Sequence, residues 1–423
     1  MIVDFVTRTI RAILVGKEQR FVFTKNQNIS IPPLRQIDLY IHIPFCRNKC
    51  PYCPYNRINY DETLVGPYTR AVLSEIEQYY LRLGKIEISS IYIGGGTPTT
   101  LIDELGIIIK SIREKFTITG DICVETSPSD LDEDIIRKLK DFGVDLISIG
   151  AQSFDDKFLK VLGRNYTADK ARSAVILALS SNFKSVNVDL MFALPGQTIE
   201  DVLGDLNEVS KLGVNQVTTY PLFTFPYSSV GQYLKIRRVK MPNIFRRRKM
   251  YKEIHNFFTQ NGYQRVSVWG FKKDNSPRYS SVTRDTYIGI GAGAGSRLHD
   301  VFYLNTFSVK GYIEATSTGR LPIALTMEMT PELRRYYWLY WRFYDTYIDS
   351  QQLRETFGKD VKLKIIFIHA KLLGLIKENQ HQIELTERGA FYIHLLQNYF
   401  ILNYIDRVWS AAMKESWPEK IVI

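Results

Sequence analysis

The stretch His42-Ile43-Pro44-Phe45-Cys46-Arg47-Asn48-Lys49-Cys50-Pro51-Tyr52-Cys53-Pro54-Tyr55-Asn56 sets three cysteines at C-x3-C-x2-C spacing in a short loop. The loop follows directly on an apolar, strand-like run over residues 37–43. Cysteine thiolates spaced this closely are holders of iron–sulfur clusters. Cys46, Cys50 and Cys53 on a four-iron cluster leave one iron without a protein ligand, and an open position separates a catalytic metal centre from a closed structural one. Three other readings compete. A structural zinc site calls for a fourth Cys or His nearby, and the local His42 belongs to the strand. A disulfide leaves one thiol over. Three core cysteines would not be interrupted by Arg47, Asn48 and Lys49.

Outward from that loop, residues 37–222 alternate strand and helix. Apolar runs begin at Ile37, Ser90, Asp121, Asp145, Ser185 and Gln216, with helical patterns over 68–83, 101–115, 132–142, 168–181 and 198–212. In the third of these, Ile135, Ile136 and Leu139 form one apolar stripe and Gly143 stands as the C-cap. Such alternation implies parallel strands joined by right-handed crossovers. The fold class is therefore α/β, a partial (β/α)6 TIM-type barrel, whose functional groups gather at the C-terminal strand ends. The second strand runs into Gly94-Gly95-Gly96-Thr97-Pro98-Thr99, where missing Cβ atoms let backbone approach a ligand. Glu125 ends the third strand, Gln152-Ser153-Phe154 the fourth, and Asp189 opens the run 189–198 at the fifth. Three polar strand ends in succession are hard to explain as caps.

These segments, with Leu162-Gly163-Arg164 and Gly289-Ile290-Gly291-Ala292-Gly293-Ala294-Gly295-Ser296, resemble the oxygen-independent coproporphyrinogen III dehydrogenase-like branch of the radical S-adenosylmethionine (SAM) enzymes. The resemblance covers residues 37–305. It implies a 4Fe-4S cluster on the three cysteines and two SAM molecules per chain. Tyr40, Gly95 and Glu125 match positions around the SAM on the cluster. Tyr52, Gly96, Thr97, Gln152, Arg164 and Asp189 match positions lining the second. There Arg164 would grip a carboxylate through its fork and Asp189 would accept from hydroxyls or the amino group. Pro221 and Gly295 are weaker matches, Pro221 through its carbonyl or ring alone. The family also implies an electron donor such as flavodoxin or ferredoxin. Its radical chemistry asks the protein for positioning and exclusion of water rather than acid–base catalysis.

Departures sort the outcomes within the branch. Pro54-Tyr55 follows Cys53 where coproporphyrinogen dehydrogenases continue with Gly-Cys, and His299-Asp300-Val301-Phe302-Tyr303-Leu304 departs from the haem chaperones' His-Asn-x-x-Tyr-Trp. The expectation is methyl transfer by a class C radical SAM methyltransferase to an sp2 carbon of a planar hydrophobic substrate. A menaquinone-type quinone is placed ahead of a tetrapyrrole; the dehydrogenase and the haem-binding chaperone stand as alternatives.

Three domains are expected: an N-terminal arm over 1–36, the barrel and its extension over 37–320, and a mostly helical, winged-helix-like cap over 321–423. The cap opens with Tyr336, Tyr337, Trp338, Tyr340, Trp341, Phe343, Tyr344 and Tyr347, readable either as core or as a lid of aromatic faces. Four cysteines, three of them committed, exclude a disulfide framework, and Cys123 reads as a core residue. Residues 1–14 carry Asp4, Arg8 and Arg11, unlike a signal peptide, and no run of 18 apolar residues exists. A cytoplasmic monomer is expected. The net charge of +11 concentrates at Lys235, Arg237, Arg238, Lys240 and Arg246 to Lys249. That run reads as a solvated helix face or as a peripheral contact with the inner face of a membrane, without a nucleic-acid partner.

Overall fold

The computed structural model describes residues 20–25, 29–225, 228, 241–273, 275–278 and 285–423. Six parallel strands, β1 (Gln36–Ile43), β2 (Glu87–Gly95), β3 (Ile122–Thr126), β4 (Leu146–Gln152), β5 (Ser185–Phe192) and β6 (Gln216–Pro221), pair in sequence order. Between them run α1 (Glu62–Leu83), α2 (Ile102–Lys115), α3 (Glu133–Asp141), α4 (Asp156–Val161), α5 (Ala168–Leu179) and α6 (Ile199–Leu212). Local chemistry sets their ends: Asp132 caps α3, and Thr198 with Asp201 forms a capping box on α6. The α/β barrel expectation holds. A seventh parallel strand, Tyr287–Ile290, joins β1 on its far side, a short glycine-interrupted run that the strand pattern did not reveal.

Register decides what faces inward, because side chains alternate along a strand. Tyr40 lies beside Tyr92, Tyr92 beside Cys123, Glu125 beside Ser148, Ser148 beside Asn187, and Asp189 beside Thr218. The alternate residues Leu39, Ile41, Ile91, Ile93, Val124, Ile147, Val188 and Leu190 are buried with Val72, Ile76, Ile108, Ile112, Ala174 and Val209 of the helices. The apolar face thus meets the helices, and the barrel lumen is left polar.

Beyond Tyr287–Ile290 the sheet turns antiparallel through Gly295–Leu298, Val301–Asn305 and Ile323–Glu328, and ends on Val22–Thr24 and Lys420–Val422. By hydrogen bonding, then, the residues just after 321, the described part of the N-terminal arm and the last strand share one sheet. The C-terminal order is helix Pro331–Tyr344, strand Tyr347–Asp349, helices Ser350–Phe357 and Val361–Leu372, and the hairpin Ile376–Glu378 with Gln382–Leu385. Helix Glu387–Phe400 follows, and this is a winged-helix arrangement. Arg246 to Lys249 lie on α7 (Ile244–Gln260). Residues 1–14 and Lys235, Arg237, Arg238 and Lys240 lie outside the described residues. Among the described residues no helix is long and apolar enough to cross a membrane.

Candidate active site

The cysteine loop is stitched to the barrel mouth from several sides. Gly96 N donates to Ile43 O (2.7 Å) and Thr97 N to Phe45 O (2.8 Å), tying the turn after β2 to the first cysteine. Gly95 has φ +114° and a Cβ there would lie 2.6 Å from the His42 ring; at Gly96 it would lie 2.5 Å from Phe45 O. Only glycine fits either position. The glycines thus admit protein groups, His42 and the loop backbone, on the side where a Cβ would stand. Asn48 donates to Gly163 O (3.2 Å), Arg47 stands 3.5 Å from Asp130, and Arg57 donates to the carbonyls of Cys50 and Cys53.

All four cysteines are free thiols. Cys50 and Cys53 pack with Tyr52, Phe158, Leu162 and Met191, whereas Cys123 packs with Tyr92, Leu146 and Tyr40 on the lumen floor. The fourth ligand a zinc site would need is spoken for. His42 Nε2 faces Asn56 O (2.7 Å) and Nδ1 faces the Tyr40 hydroxyl (2.7 Å), so Nε2 carries the proton and Nδ1 accepts. Burial pushes its pKa down to about 4, which keeps the ring neutral. Burial raises the Cys46 thiol to about 11 and raises Cys53 as well. Such thiols ionise when a bound cation draws the proton off. Among the described residues no three His, Cys, Asp or Glu are grouped to hold a single ion, whereas a four-iron cluster spreads its thiolates over separate irons. The donor set fits a cluster.

The lumen above the floor carries linked polar groups. Tyr92 donates its hydroxyl to Glu125, whose other oxygen accepts from Gly95 N (3.1 Å). Asn187 donates to Ser148 Oγ (2.7 Å) and Asp189 Oδ1 (2.8 Å) and accepts from Thr218 Oγ1 (3.0 Å). Burial, then the nearby negative charge of Glu125, raises Asp189 to about 7; burial raises Glu125. Tyr55 is 52% exposed, its ring 5.9 Å from that of Trp409.

Arg164 closes one side. It donates to the Tyr52 hydroxyl (2.6 Å) and lies 5.6 Å from both the Tyr52 and Tyr166 ring centres, while its buried Nε has no partner. Gln152 accepts from the Tyr220 hydroxyl (2.6 Å) and holds φ +68°, a left-handed conformation that a non-glycine residue keeps only when its surroundings enforce it. Asp205 enforces it from below, accepting from Ser153 Oγ (2.8 Å) and Phe154 N (2.6 Å). Tyr40, Glu125 and the glycine turn thus lie towards β1 to β3, and Tyr52, Gln152, Arg164 and Asp189 towards β4 to β6. Pro221 ends β6, paired with Phe192. Gly295 sits in the antiparallel ladder opposite Leu304, its carbonyl against Gly289, which pairs with Tyr40.

Sequence reasoning missed the carboxylate beneath the glycine-rich segment. Glu75, wholly buried on α1, accepts from Gly291 N (2.9 Å), the Tyr312 hydroxyl (2.6 Å) and Asn305 Nδ2 (2.8 Å). The Tyr68 hydroxyl bridges Ala292 N and His42 O, and Asn56 Nδ2 holds Ala292 O and Phe307 O. A chain of bonds therefore runs from Glu75 through Asn56 and His42 to Tyr40. The available signal was one acidic residue on the apolar stripe Tyr68, Val72, Ile76, Tyr79.

The aromatic helix divides its rings. Tyr336, Trp338 and Phe343 pack against Phe357, Phe367 and the small C-terminal core. Tyr337, Tyr340, Trp341 and Tyr344, at i, i+3, i+4 and i+7, meet Arg297, Phe400 and Trp269. The helix therefore packs on two faces. In the run where chaperones carry their motif, Tyr303 bonds Tyr79 (3.0 Å) and Leu304 is core.

A model of the radical SAM superfamily matches residues 40–209. The chain is 31% identical over 277 residues to the heme chaperone HemW of Escherichia coli (strain K12), covering 64% of this chain and 71% of that one. To the anaerobilin synthase of Escherichia coli O157:H7 it is 26% identical over 411 residues, 95% of this chain and 91% of that one. The solved structure of the coproporphyrinogen III oxidase HemN of Escherichia coli superposes with a TM-score of 0.74 at 22% identity, over 88% of this chain and 91% of that one, a likeness of fold. With its cysteine loop at the mouth of this barrel, the chain belongs to the radical SAM superfamily, in the HemN-like branch that also holds the HemW chaperones.

Proposed function

We propose that this protein is a radical SAM enzyme that modifies a tetrapyrrole, with Cys46, Cys50 and Cys53 holding a 4Fe-4S cluster and a second SAM supplying a methyl group. The observation that carries the substrate class is alignment length. Similarity to the anaerobilin synthase covers 95% of this chain, through the aromatic helix and the C-terminal unit, whereas the match to the Escherichia coli HemW covers 64%. The relatives named above concern haem, a bilin and a porphyrinogen, all tetrapyrroles; none is named for a quinone. The order expected from sequence is thereby reversed, with tetrapyrrole first.

When bound, the cluster and SAM supply a one-electron cleavage that starts radical chemistry. The chain's own groups do the rest. Tyr40, held by His42, and Glu125, held by Tyr92 and Gly95, line the side nearest the cysteines. Arg164, Tyr52, Gln152 and Asp189 line the opposite side, where a buried guanidinium with an unpartnered Nε suits a carboxylate. Tyr337, Tyr340 and Trp341, half-buried on one face of their helix, are aromatic rings suited to a flat substrate. Anaerobic incubation with haem, a reductant and SAM labelled on its methyl group tests the reading. Label in a tetrapyrrole product supports it. Haem bound without SAM consumption would favour the chaperone, and carbon dioxide from coproporphyrinogen III the dehydrogenase.

Arg164→Ala is expected to leave cleavage of the first SAM within about threefold of wild type while lowering methylated product at least about tenfold, the effect of losing one charge-assisted carboxylate grip. Equal loss of both activities would refute a second SAM at Arg164, as would binding of one SAM per cluster-loaded chain.

A further inference from the structure

Helix Val361–Leu372 is apolar on two opposite sides. Leu363, Phe367 and Ala370 pack into the small core with Leu339, Ile348 and Phe357. Across the helix, Val361, Ile365, Ile368 and Leu372 recur at i, i+4, i+7 and i+11, one narrow stripe, at 67%, 49%, 48% and 79% exposure; Leu373 continues it at 57%. Lys364 and Lys371 flank the stripe on one side and Lys362 and His369 on the other. Residues 359–377 hold five lysines against the single Asp360; Lys371 also pairs with Glu378 (2.9 Å). An exposed apolar stripe serves no folding purpose, and on a monomer such a feature marks an interaction surface.

A second apolar and basic element is tied to it. At the start of α7, Phe245 is 82% and Ile244 41% exposed, among Arg246 and Lys249. Glu387 accepts from Arg248 of α7 (2.6 Å), and the neighbouring Arg388 donates to Leu373 O (3.3 Å). The first turn of helix Glu387–Phe400 therefore joins the two elements.

We propose that this face, centred on helix Val361–Leu372, docks the enzyme on an anionic lipid surface. Apolar side chains flanked by lysines are what an interfacial helix presents to acyl chains and acidic headgroups. The helix occupies the place from which winged helices read DNA, but phosphates are gripped by polar and basic groups, and the centre of this stripe is aliphatic. A second copy would bring lysine against lysine on a chain of net charge +11.

The test is co-sedimentation of the full chain with vesicles of phosphatidylcholine, alone or mixed with phosphatidylglycerol. Binding is expected to the mixed vesicles and not to phosphatidylcholine alone. Ile365→Ser/Ile368→Ser/Leu372→Ser should weaken it at least about tenfold, and Lys362→Gln/Lys364→Gln about fivefold per charge removed. Both variants should keep the wild-type melting temperature, since the side chains changed are exposed. Failure of the wild type to bind either vesicle overturns the proposal, as does equal binding by both variants. Displacement from vesicles by duplex DNA overturns it too, as does a concentration-dependent dimer that the triple variant abolishes.

Discussion

Replacing Cys46, Cys50 or Cys53 with alanine is expected to abolish the iron–sulfur absorbance of anaerobically reconstituted protein, and reductive SAM cleavage with it, whereas Cys123→Ala should keep both. The three thiols share one loop fixed by Gly96, Thr97, Asn48 and Arg57. Two thiolates leave a second iron of a four-iron cluster unliganded, so partial activity is not expected from any single loss. Cys123 stands on β3 facing Tyr92, on the lumen floor with Leu146 and Tyr40. Burial raises its thiol, which leaves it protonated and inert. Its alanine variant removes one small buried group at a cost of about 1 kcal/mol. Iron content and visible absorbance read the outcome. Loss of the cluster in Cys123→Ala, with retention in any one of the other three, would overturn the assignment.

The split between what sequence disclosed and what it concealed follows from range. Strand ends are written locally. Runs such as those before Glu125, Gln152 and Asp189 announce strands by their β-branched residues, and parallel topology then places the next residues at one mouth. Helix ends were readable where caps such as Asp132 and Thr198 act within one turn, but the helix expected from 68 begins at Glu62 behind Asp61, and the short helix Asp156–Val161 was missed. Contacts between distant segments left little trace. Glu75 reaches Asn305 and Tyr312 more than 200 residues away, and Asp205 supports Ser153 from another helix. Each looked like an ordinary helical acid. The left-handed backbone at Gln152 was invisible because glutamine gives no sign of it. The aromatic helix was legible as a stripe but not as two stripes, since its partners, Phe357 and Phe367 on one side and Trp269 and Phe400 on the other, come from separate segments.

The contribution of Glu75 to stability is expected to fall as pH rises from about 4.5 to 7, and Glu75→Gln to remove that fall. Burial raises the Glu75 carboxyl from 4.5 to about 7, against the opposing effect of its bonds from Tyr312, Gly291 and Asn305. A carboxyl raised on folding gives stability that is complete below its unfolded pKa and lost as pH climbs through the folded value. The window is therefore about 4.5 to 7, and the Glu75 share is about 3 kcal/mol. Asp189 and Asp205, each raised to about 7 chiefly by burial, add slope of the same sign, whereas His42, His255 and His394, pushed down by burial, oppose it, so the difference between wild type and Glu75→Gln is what isolates Glu75. Glutamine keeps the shape but turns an NH2 towards one of three donors, a mismatch costing about 1–3 kcal/mol. Near pH 5 the variant is thus the less stable protein; by pH 8 the gap closes or reverses. Glu75→Ala strips acceptors from Gly291 N and the Tyr312 hydroxyl and costs about 3–5 kcal/mol at either pH. Because Gly291 and Ala292 anchor Tyr68 and Asn56, and Asn56 orients His42 under Tyr40, the alanine variant should also weaken SAM binding to cluster-loaded protein. Urea denaturation across the pH range checks the first effect, and calorimetric SAM titration the second. A stability gap between wild type and Glu75→Gln that stays constant from pH 5 to 8 would show that Glu75 does not titrate in this window, and the buried network would then be holding it ionised throughout.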